Sequence, residues 1–118
     1  MNVKIVRTID RGVASKERIH LSVLADTNLS FYAVFDTELL ATGRVVAIPK
    51  HAYWFSDTPV KAGDHVILYT GPGKESVSKR NDGSTNYFFH WGMKNTLWSR
   101  ATDCAVLLQI DEWETSNV

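Results

Sequence analysis

The sequence has a single cysteine, Cys104, among its 118 residues. One cysteine excludes an intramolecular disulfide and any zinc site that needs two thiolates. No apolar run approaches the roughly 20 residues of a membrane-spanning helix, and the N-terminal segment lacks the apolar core of a secretory signal. We therefore expect a complete chain that has no membrane partner and lies in the cytoplasm, where a domain needs no disulfide.

The sequence also lacks an excess of charge of either sign, because 13 basic residues balance 13 acidic ones. This balance argues against a general binder of polyanions, although it leaves a local basic patch open. The four histidines lie far apart in the sequence, and none forms a closely spaced pair with another. We expect neither a metal site nor a cofactor, and His20 and His65 are expected on solvated strand faces.

Helical periodicity is absent, since no window of a dozen residues keeps apolar positions three and four apart behind a cap. Period-two alternation recurs instead, bounded by turn residues. The predicted strands lie near residues 3–6, 19–23, 31–35, 44–48, 52–55, 65–69, 87–91 and 104–110. Because the connections are too short for parallel crossovers, we predict an antiparallel all-β sandwich of seven to nine strands over residues 1–111. Residues 112–118 form an acidic polar tail.

Polar residues dominate from Lys74 to Asn86, and the segment 71–86 is predicted to be a long exposed hairpin loop. It carries Lys74, Lys79 and Arg80, and Tyr87 follows it directly. Basic and aromatic side chains together can grip a phosphate backbone or a nucleobase, and they can equally anchor a protein partner. A third interpretation is a solvated loop whose charges keep the protein soluble.

Aromatic residues are abundant, with four tryptophans in a short chain. Exposed coplanar tryptophans could form a carbohydrate-binding face, and Trp54, Trp98 and Trp113 are the candidates. Trp98 lies in a polar stretch and is predicted to be partly exposed. The alternative is that these rings fill the core. Cys104 begins the last apolar alternation, which predicts a small buried hydrophobe rather than a reactive nucleophile.

The second half of the chain resembles the lamin tail domain, and the resemblance covers about residues 50–111. Its marks, in order, are the aromatic strand Tyr53-Trp54-Phe55, the strand entry from Val60 through Ala62-Gly63 to Tyr69, the insert 71–86, and Trp91-Gly92 followed by Leu97-Trp98 and the strand Cys104–Ile110. The resemblance implies an immunoglobulin-like β-sandwich with Trp54 among its core-filling aromatics. In nuclear lamins this domain contacts other proteins and chromatin. The absence of a heptad rod here means that a filament role does not carry over.

Three residues within that region have structural roles that local chemistry also predicts. Gly63 is expected in a turn that needs a positive φ, and Gly92 in a bulge or tight turn at a strand end. Trp91 should fill the space between two sheets.

The leading functional prediction is a non-catalytic protein-interaction or scaffold module, with free edge strands that could pair between copies as a homodimer. The alternative is a ligand-binding module for carbohydrate or nucleic acid, through exposed aromatics and the loop 71–86. An enzyme ranks third, because no acid, base and nucleophile can be grouped from the sequence.

Overall fold

A computed structural model describes residues 1–117 of the chain and places them almost entirely in strands and loops. Strands hold 44% of the residues and helix only 3%, which confirms the predicted all-β class. The strands are β1 (Val3–Ile9), β2 (Arg18–Val23), β3 (Thr27–Asn28), β4 (Tyr32–Glu38), β5 (His51–Trp54), β6 (Pro59–Val60), β7 (His65–Tyr69), β8 (Ser76–Lys79), β9 (Thr85–His90) and β10 (Asp103–Gln109). One turn of 3₁₀ helix, Leu29–Phe31, leads into β4.

The strands form two main sheets that share one core. The large sheet has the order β1-β2-β7-β9-β8, and the small sheet has the order β10-β4-β5. The two-residue strands β3 and β6 pair with each other. Side chains from both sheets and from the loops between them form one buried cluster: Val3, Ile19, Leu21, Val23, Leu29, Tyr32, Val34, Phe55, Val60, Val66, Leu68, Phe89, Leu97 and Trp98. This shared core makes the fold a β-sandwich.

Alternation along the strands decides which side chains enter the core. In β2, Ile19 and Leu21 are fully buried, while His20 between them is only partly buried. In β7, Val66 and Leu68 are fully buried, and His65 takes the outward position. The period of two therefore places both histidines on the outer face of the large sheet, as predicted.

The prediction that every strand pair is antiparallel is wrong for one pair, since β7 and β9 are parallel. The chain leaves β7, runs along the sheet edge as β8, and returns through a tight hairpin as β9 between them. The intervening residues 70–84 are long enough for a parallel connection. Because the only strand within residues 70–84 is the short β8, the sequence pattern did not indicate this parallel connection.

Two further local predictions need correction. The predicted strand at residues 44–48 is a loop. An isolated bridge joins Leu39 and Val45, and Val46 donates to the Glu38 carbonyl and accepts from the Thr37 hydroxyl. Most of this loop is exposed, so no packed face selects the extended form. The predicted loop 71–86 contains a regular strand, β8, because Ser76–Lys79 pairs with β9.

Two buried carboxylates tie loops to the sandwich. The carboxylate of Glu17, 1% exposed, accepts hydrogen bonds from the backbone N–H groups of Gly12, Leu97 and Trp98 and from the hydroxyl of Thr70. The Asp64 carboxylate accepts bonds from the N–H groups of Lys61 and Thr85. Each carboxylate thus supplies an acceptor to buried donors that have no partner in the hydrogen bonds between strands.

Residues 111–117 contain no strand or helix, and Val118, the end of the predicted acidic tail, lies outside the described residues. Within residues 1–117, no helix has the length and apolar character to cross a bilayer.

Candidate functional site

The basic residues of the 71–86 segment lie along the hairpin of β8 and β9 rather than in one cluster. Lys79 and Arg80 flank the hairpin tip, where the Lys79 ammonium donates to the Thr85 hydroxyl at 2.9 Å and the Arg80 guanidinium donates to the Asn86 side-chain oxygen at 3.1 Å. Lys74 precedes β8 and lies five positions before Lys79, a distance of about 17 Å at the rise of an extended strand. The three cations therefore do not form a single grip.

The two aromatic candidates of the binding prediction both pack against the core, Tyr87 partly buried and Trp98 fully buried. Tyr87 points inward and packs against the core, and its hydroxyl donates to the Pro59 carbonyl at 3.5 Å. Trp98 is 1% exposed, so its predicted partial exposure is wrong. The polar neighbours of Trp98 in the sequence suggested exposure. The Trp98 backbone N–H instead donates to the Glu17 carboxylate, which holds this segment against the core.

The structural predictions for two glycines are confirmed by their backbone angles. Gly63 has φ +93° in the turn before β7, and Gly92 has φ +84° after β9. Trp91 is partly buried against the core, with its ring centroid 5.8 Å from that of Tyr53 and 6.3 Å from that of Trp98.

Trp54 requires a correction, because it is 47% exposed and lies on the outer face of β5. Tyr53 and Phe55, its neighbours on either side, point inward instead. The Trp54 indole donates to the Ser30 carbonyl at 2.8 Å and meets Trp113 edge-on, at an interplanar angle of 90°. Perpendicular rings do not make the coplanar platform that the carbohydrate prediction requires.

Cys104 is partly buried at the start of β10, as a small hydrophobe should be. Burial, followed by the nearby charges of Asp36 and Asp103, raises the pKa of its thiol above the usual value. A raised pKa lowers the thiolate fraction, which is the opposite of what a catalytic cysteine needs.

Exposed apolar side chains concentrate around the small sheet. We call the outward side chains of its strands the apolar face: Phe35, Ala52, Trp54, Val106 and Leu108. Further exposed large hydrophobic residues lie beside it, in the flanking turn, the loop after β4 and the C-terminal segment: Phe31, Leu39, Leu40, Val45, Ile48 and Trp113. Such a concentration is typical of an interaction surface.

One margin of the apolar face is the free edge of β10, which pairs with β4 on one side only. The Leu39 N–H donates to the Thr102 carbonyl at one end of this pairing, and the Ile110 N–H donates to the Phe31 carbonyl at the other. Because direction alternates along a strand, the backbone groups of Ala105, Leu107 and Gln109 face away from β4. These groups are available to another strand.

The outer face of the large sheet contains a pairing that sequence reasoning missed. His20 on β2 and His65 on β7 lie 45 positions apart, yet their Nε2 and Nδ1 atoms are 2.9 Å apart. Their proximity depends on the register of β2 against β7, which places His20 opposite Ile67 and Ser22 opposite His65. Spacing within the sequence gave no signal for it.

Residues 1–117 contain no group of three or more His, Cys, Asp or Glu side chains that could hold a metal ion. The His51 imidazole does contact the buried Asp36 carboxylate at 2.9 Å.

Comparisons with protein-family models, curated proteins and solved structures found no match to this chain. The resemblance to the lamin tail domain therefore stays a prediction.

Proposed function

We propose that this chain is a non-catalytic protein-interaction module that assembles with a second copy of itself through the free edge of β10. One observation carries the proposal: from Cys104 to Ile110 the edge strand contains no charged residue and no proline. Soluble β-proteins normally protect such an edge with Lys, Pro, a bulge or a covering segment. The unprotected edge also continues directly into the apolar face.

A second copy suits this edge because the two ends of β10 carry opposite charges. Arg11 donates from its guanidinium to the carbonyls of Arg100 and Asp103, which places a cation at the start of the strand. Arg100 adds a second cation there, the Asp103 carboxylate at this end is offset by the Lys50 ammonium 3.6 Å away, and the strand is followed by Asp111 and Glu112. Antiparallel pairing of β10 with its own copy brings each basic start beside the partner's acidic end, twice in one interface.

The pairing also extends the apolar face. Val106 and Leu108 lie outward on the edge strand and would meet the same residues of the second copy. Trp54 and Trp113 lie at the far side of the same face, and aromatic residues are favoured anchors at interfaces. The dimer would then present a continuous six-stranded sheet with apolar side chains on its outer surface.

A lysine placed at the edge tests the proposal. Val106→Lys adds a charge to the outer face of β10, and Ala52→Lys adds the same charge to β5. The two positions flank Phe35 in one row of the sheet, so the control is matched in face and register. Light scattering coupled to size exclusion, at micromolar concentrations, should show a dimer for the parent and for Ala52→Lys, and a monomer for Val106→Lys.

Two results would overturn the proposal. A parent protein that stays monomeric over the whole accessible concentration range has no such self-association. A dimer that survives Val106→Lys and is lost with Ala52→Lys uses the β5 edge instead. Thermal melts of both variants should match the parent's monomeric transition, because both lysines point to solvent.

The resemblance to an immunoglobulin-like lamin tail domain, together with a cytoplasmic location, belongs to the same proposal. The two facing sheets support the resemblance, and so do the positive φ values of Gly63 and Gly92 at their predicted turns. A single free thiol favours a reducing compartment. Cell fractionation with an antibody to the chain tests the location, and recovery only from an oxidising compartment would refute it.

A further inference from the structure

The large sheet is electrostatically one-sided. Its five strands contain no Asp or Glu, while Lys4, Arg7, Arg18 and Lys79 lie within them. The strands of the small sheet show the reverse pattern, with Asp36, Glu38 and Asp103 but no Lys or Arg. The strands of the two sheets therefore carry charge of opposite sign, although the net charge of the chain is zero.

Arg7 and Arg18 of the large sheet lie beside the histidine pair, whereas Lys79 bonds to Thr85 on the other face. Arg7 on β1 is directly opposite His20 on β2, which contacts His65 on β7. Arg18 lies two positions before His20 on the same outward side of β2. We call this group the basic face: Lys4, Arg7, Arg18, His20 and His65. A row of cationic groups across neighbouring strands suits a ligand with repeated negative charge.

An aromatic cleft lies beside the basic face. Its volume is about 370 Å³, and Tyr69, Phe88 and His90 line it together with Gly71 and Pro72. The Tyr69 and His90 rings stack in parallel, with centroids 5.1 Å apart and an interplanar angle of 11°. The Arg18 guanidinium lies 5.6 Å from the Tyr69 ring centroid, so the cleft and the basic face share a boundary.

One wall of the cleft is a close backbone approach. A Cβ atom on Gly73 would clash with the His90 imidazole, so only glycine fits there without displacing the ring. The segment that leads into β8 therefore packs directly on His90, and this wall of the cleft is present without a ligand. Preformed walls lower the cost of ordering a bound ring.

We propose that the outer face of the large sheet binds single-stranded nucleic acid, with phosphates against Arg7, Arg18 and the His20–His65 pair and a base in the cleft beside Phe88. Cations beside aromatic rings on an open sheet surface match the phosphates and π faces of unpaired nucleotides. An acidic peptide would satisfy the cations but has no repeated ring for the cleft. A duplex keeps its bases stacked inside, beyond the reach of Phe88.

The histidine pair should make this binding depend on pH. Partial burial, and then the neighbouring positive charges, lower the pKa of His20 below its usual value. The charged groups around the pair are Lys4 and Arg7 on β1, Arg18 on β2 with its salt-bridge partner Asp10, and Arg80 with Asp82 at the hairpin tip. A bound phosphate stabilises the protonated imidazole, so binding takes up protons and strengthens as the pH falls.

Fluorescence anisotropy with a labelled oligothymidylate of about 12 nucleotides tests the proposal. Phe88→Ala should weaken binding about tenfold, because it removes one stacked base. Arg7→Gln should reduce the salt-dependence slope by about 0.7, the value for one contact to a single strand, whereas Arg44→Gln should leave it unchanged, because Arg44 is an exposed arginine in the loop after β4. Lowering the pH from about 8 to about 5.5 should tighten binding by the parent more than by the His20→Asn/His65→Asn double variant.

Competition assays with duplex of the same length and with polyglutamate complete the design. The proposal requires that neither competitor displaces the oligothymidylate as well as unlabelled oligothymidylate does. Equal displacement by polyglutamate, together with an unchanged affinity of Phe88→Ala, would show a nonspecific charge surface and overturn the proposal. Loss of binding in Arg44→Gln equal to that in Arg7→Gln would overturn its location. Circular dichroism melts confirm that each variant is folded at the assay temperature.

Discussion

Glu17 is a buried carboxylate with no cationic partner among residues 1–117, and its replacement should destabilise the fold severely. One carboxylate oxygen accepts the Leu97 N–H at 2.6 Å and the Thr70 hydroxyl at 2.9 Å. The other accepts the Gly12 N–H at 2.7 Å and the Trp98 N–H at 3.1 Å. The side chain therefore joins the loop after β1, the end of β7 and the segment before β10.

The magnitude follows from the donors that lose their acceptor. Glu17→Ala leaves three buried donors without this acceptor, namely the N–H groups of Leu97 and Trp98 and the Thr70 hydroxyl. Together they cost about 5 kcal/mol at the usual penalty per stranded donor. Glu17→Gln keeps one oxygen and turns an NH₂ group toward the remaining donors, so we expect about 3 kcal/mol. Small domains have only about 5–15 kcal/mol in total, so the Ala variant should lose about a third of its stability or more.

Urea denaturation followed by tryptophan fluorescence measures both changes. At a slope of about 1.5 kcal/mol per molar urea, Glu17→Gln should lower the midpoint by about 2 M with an unchanged slope. Glu75→Gln makes the same chemical change at an exposed site and should shift stability by less than about 0.5 kcal/mol. If Glu17→Gln unfolds at the same urea concentration as Glu75→Gln, the carboxylate does not hold these loops and the reasoning is wrong.

Gly63→Ala should lower stability in thermal melts by about 1 kcal/mol from backbone strain alone, because nothing lies near its added Cβ. Gly71→Ala is the control, since Gly71 lacks a positive φ, and it should change stability by less than about 0.5 kcal/mol. Trp98→Ala should cost about 3–5 kcal/mol and Trp54→Ala less than about 1 kcal/mol in urea titrations, and equal losses would contradict their assigned faces. The lowered pKa of His20 means that the unfolded chain binds more protons, so stability should fall as the pH drops below about 6.5. His20→Gln should flatten that pH profile, and an unchanged profile would exclude His20 as its cause.

The sequence predicts best where one face of a strand is buried. In β2 the alternation of Ile19 and Leu21 with His20 is unambiguous, because only one register buries both aliphatic chains. The turn at Gly63 was equally predictable from the sequence, since a single residue supplies the positive φ. Both depend on interactions within a few residues of each other.

Contacts between distant segments explain what the sequence could not reveal. Trp98 looked exposed because its neighbours are polar, yet its N–H bonds to Glu17, 81 positions earlier. Trp54 looked like a core residue because aromatic neighbours surround it, yet the pleat turns it outward while Tyr53 and Phe55 enter the core. The basic face required the order of the sheet, because Arg7, His20 and His65 come from three strands.

The two proposed surfaces lie on opposite sides of the sandwich, so they should act independently. The outer faces of two packed sheets are separated by a core about 10 Å thick, and distant sites without shared partners contribute additively. Val106→Lys should therefore leave oligothymidylate affinity per chain unchanged, and Arg7→Gln should leave the dimer intact. The double variant should be monomeric and have the salt slope of Arg7→Gln alone. Suppose that Val106→Lys weakens oligothymidylate binding as strongly as Phe88→Ala does. The oligothymidylate must then contact both copies of the dimer, and the basic face of a single chain is not the complete site.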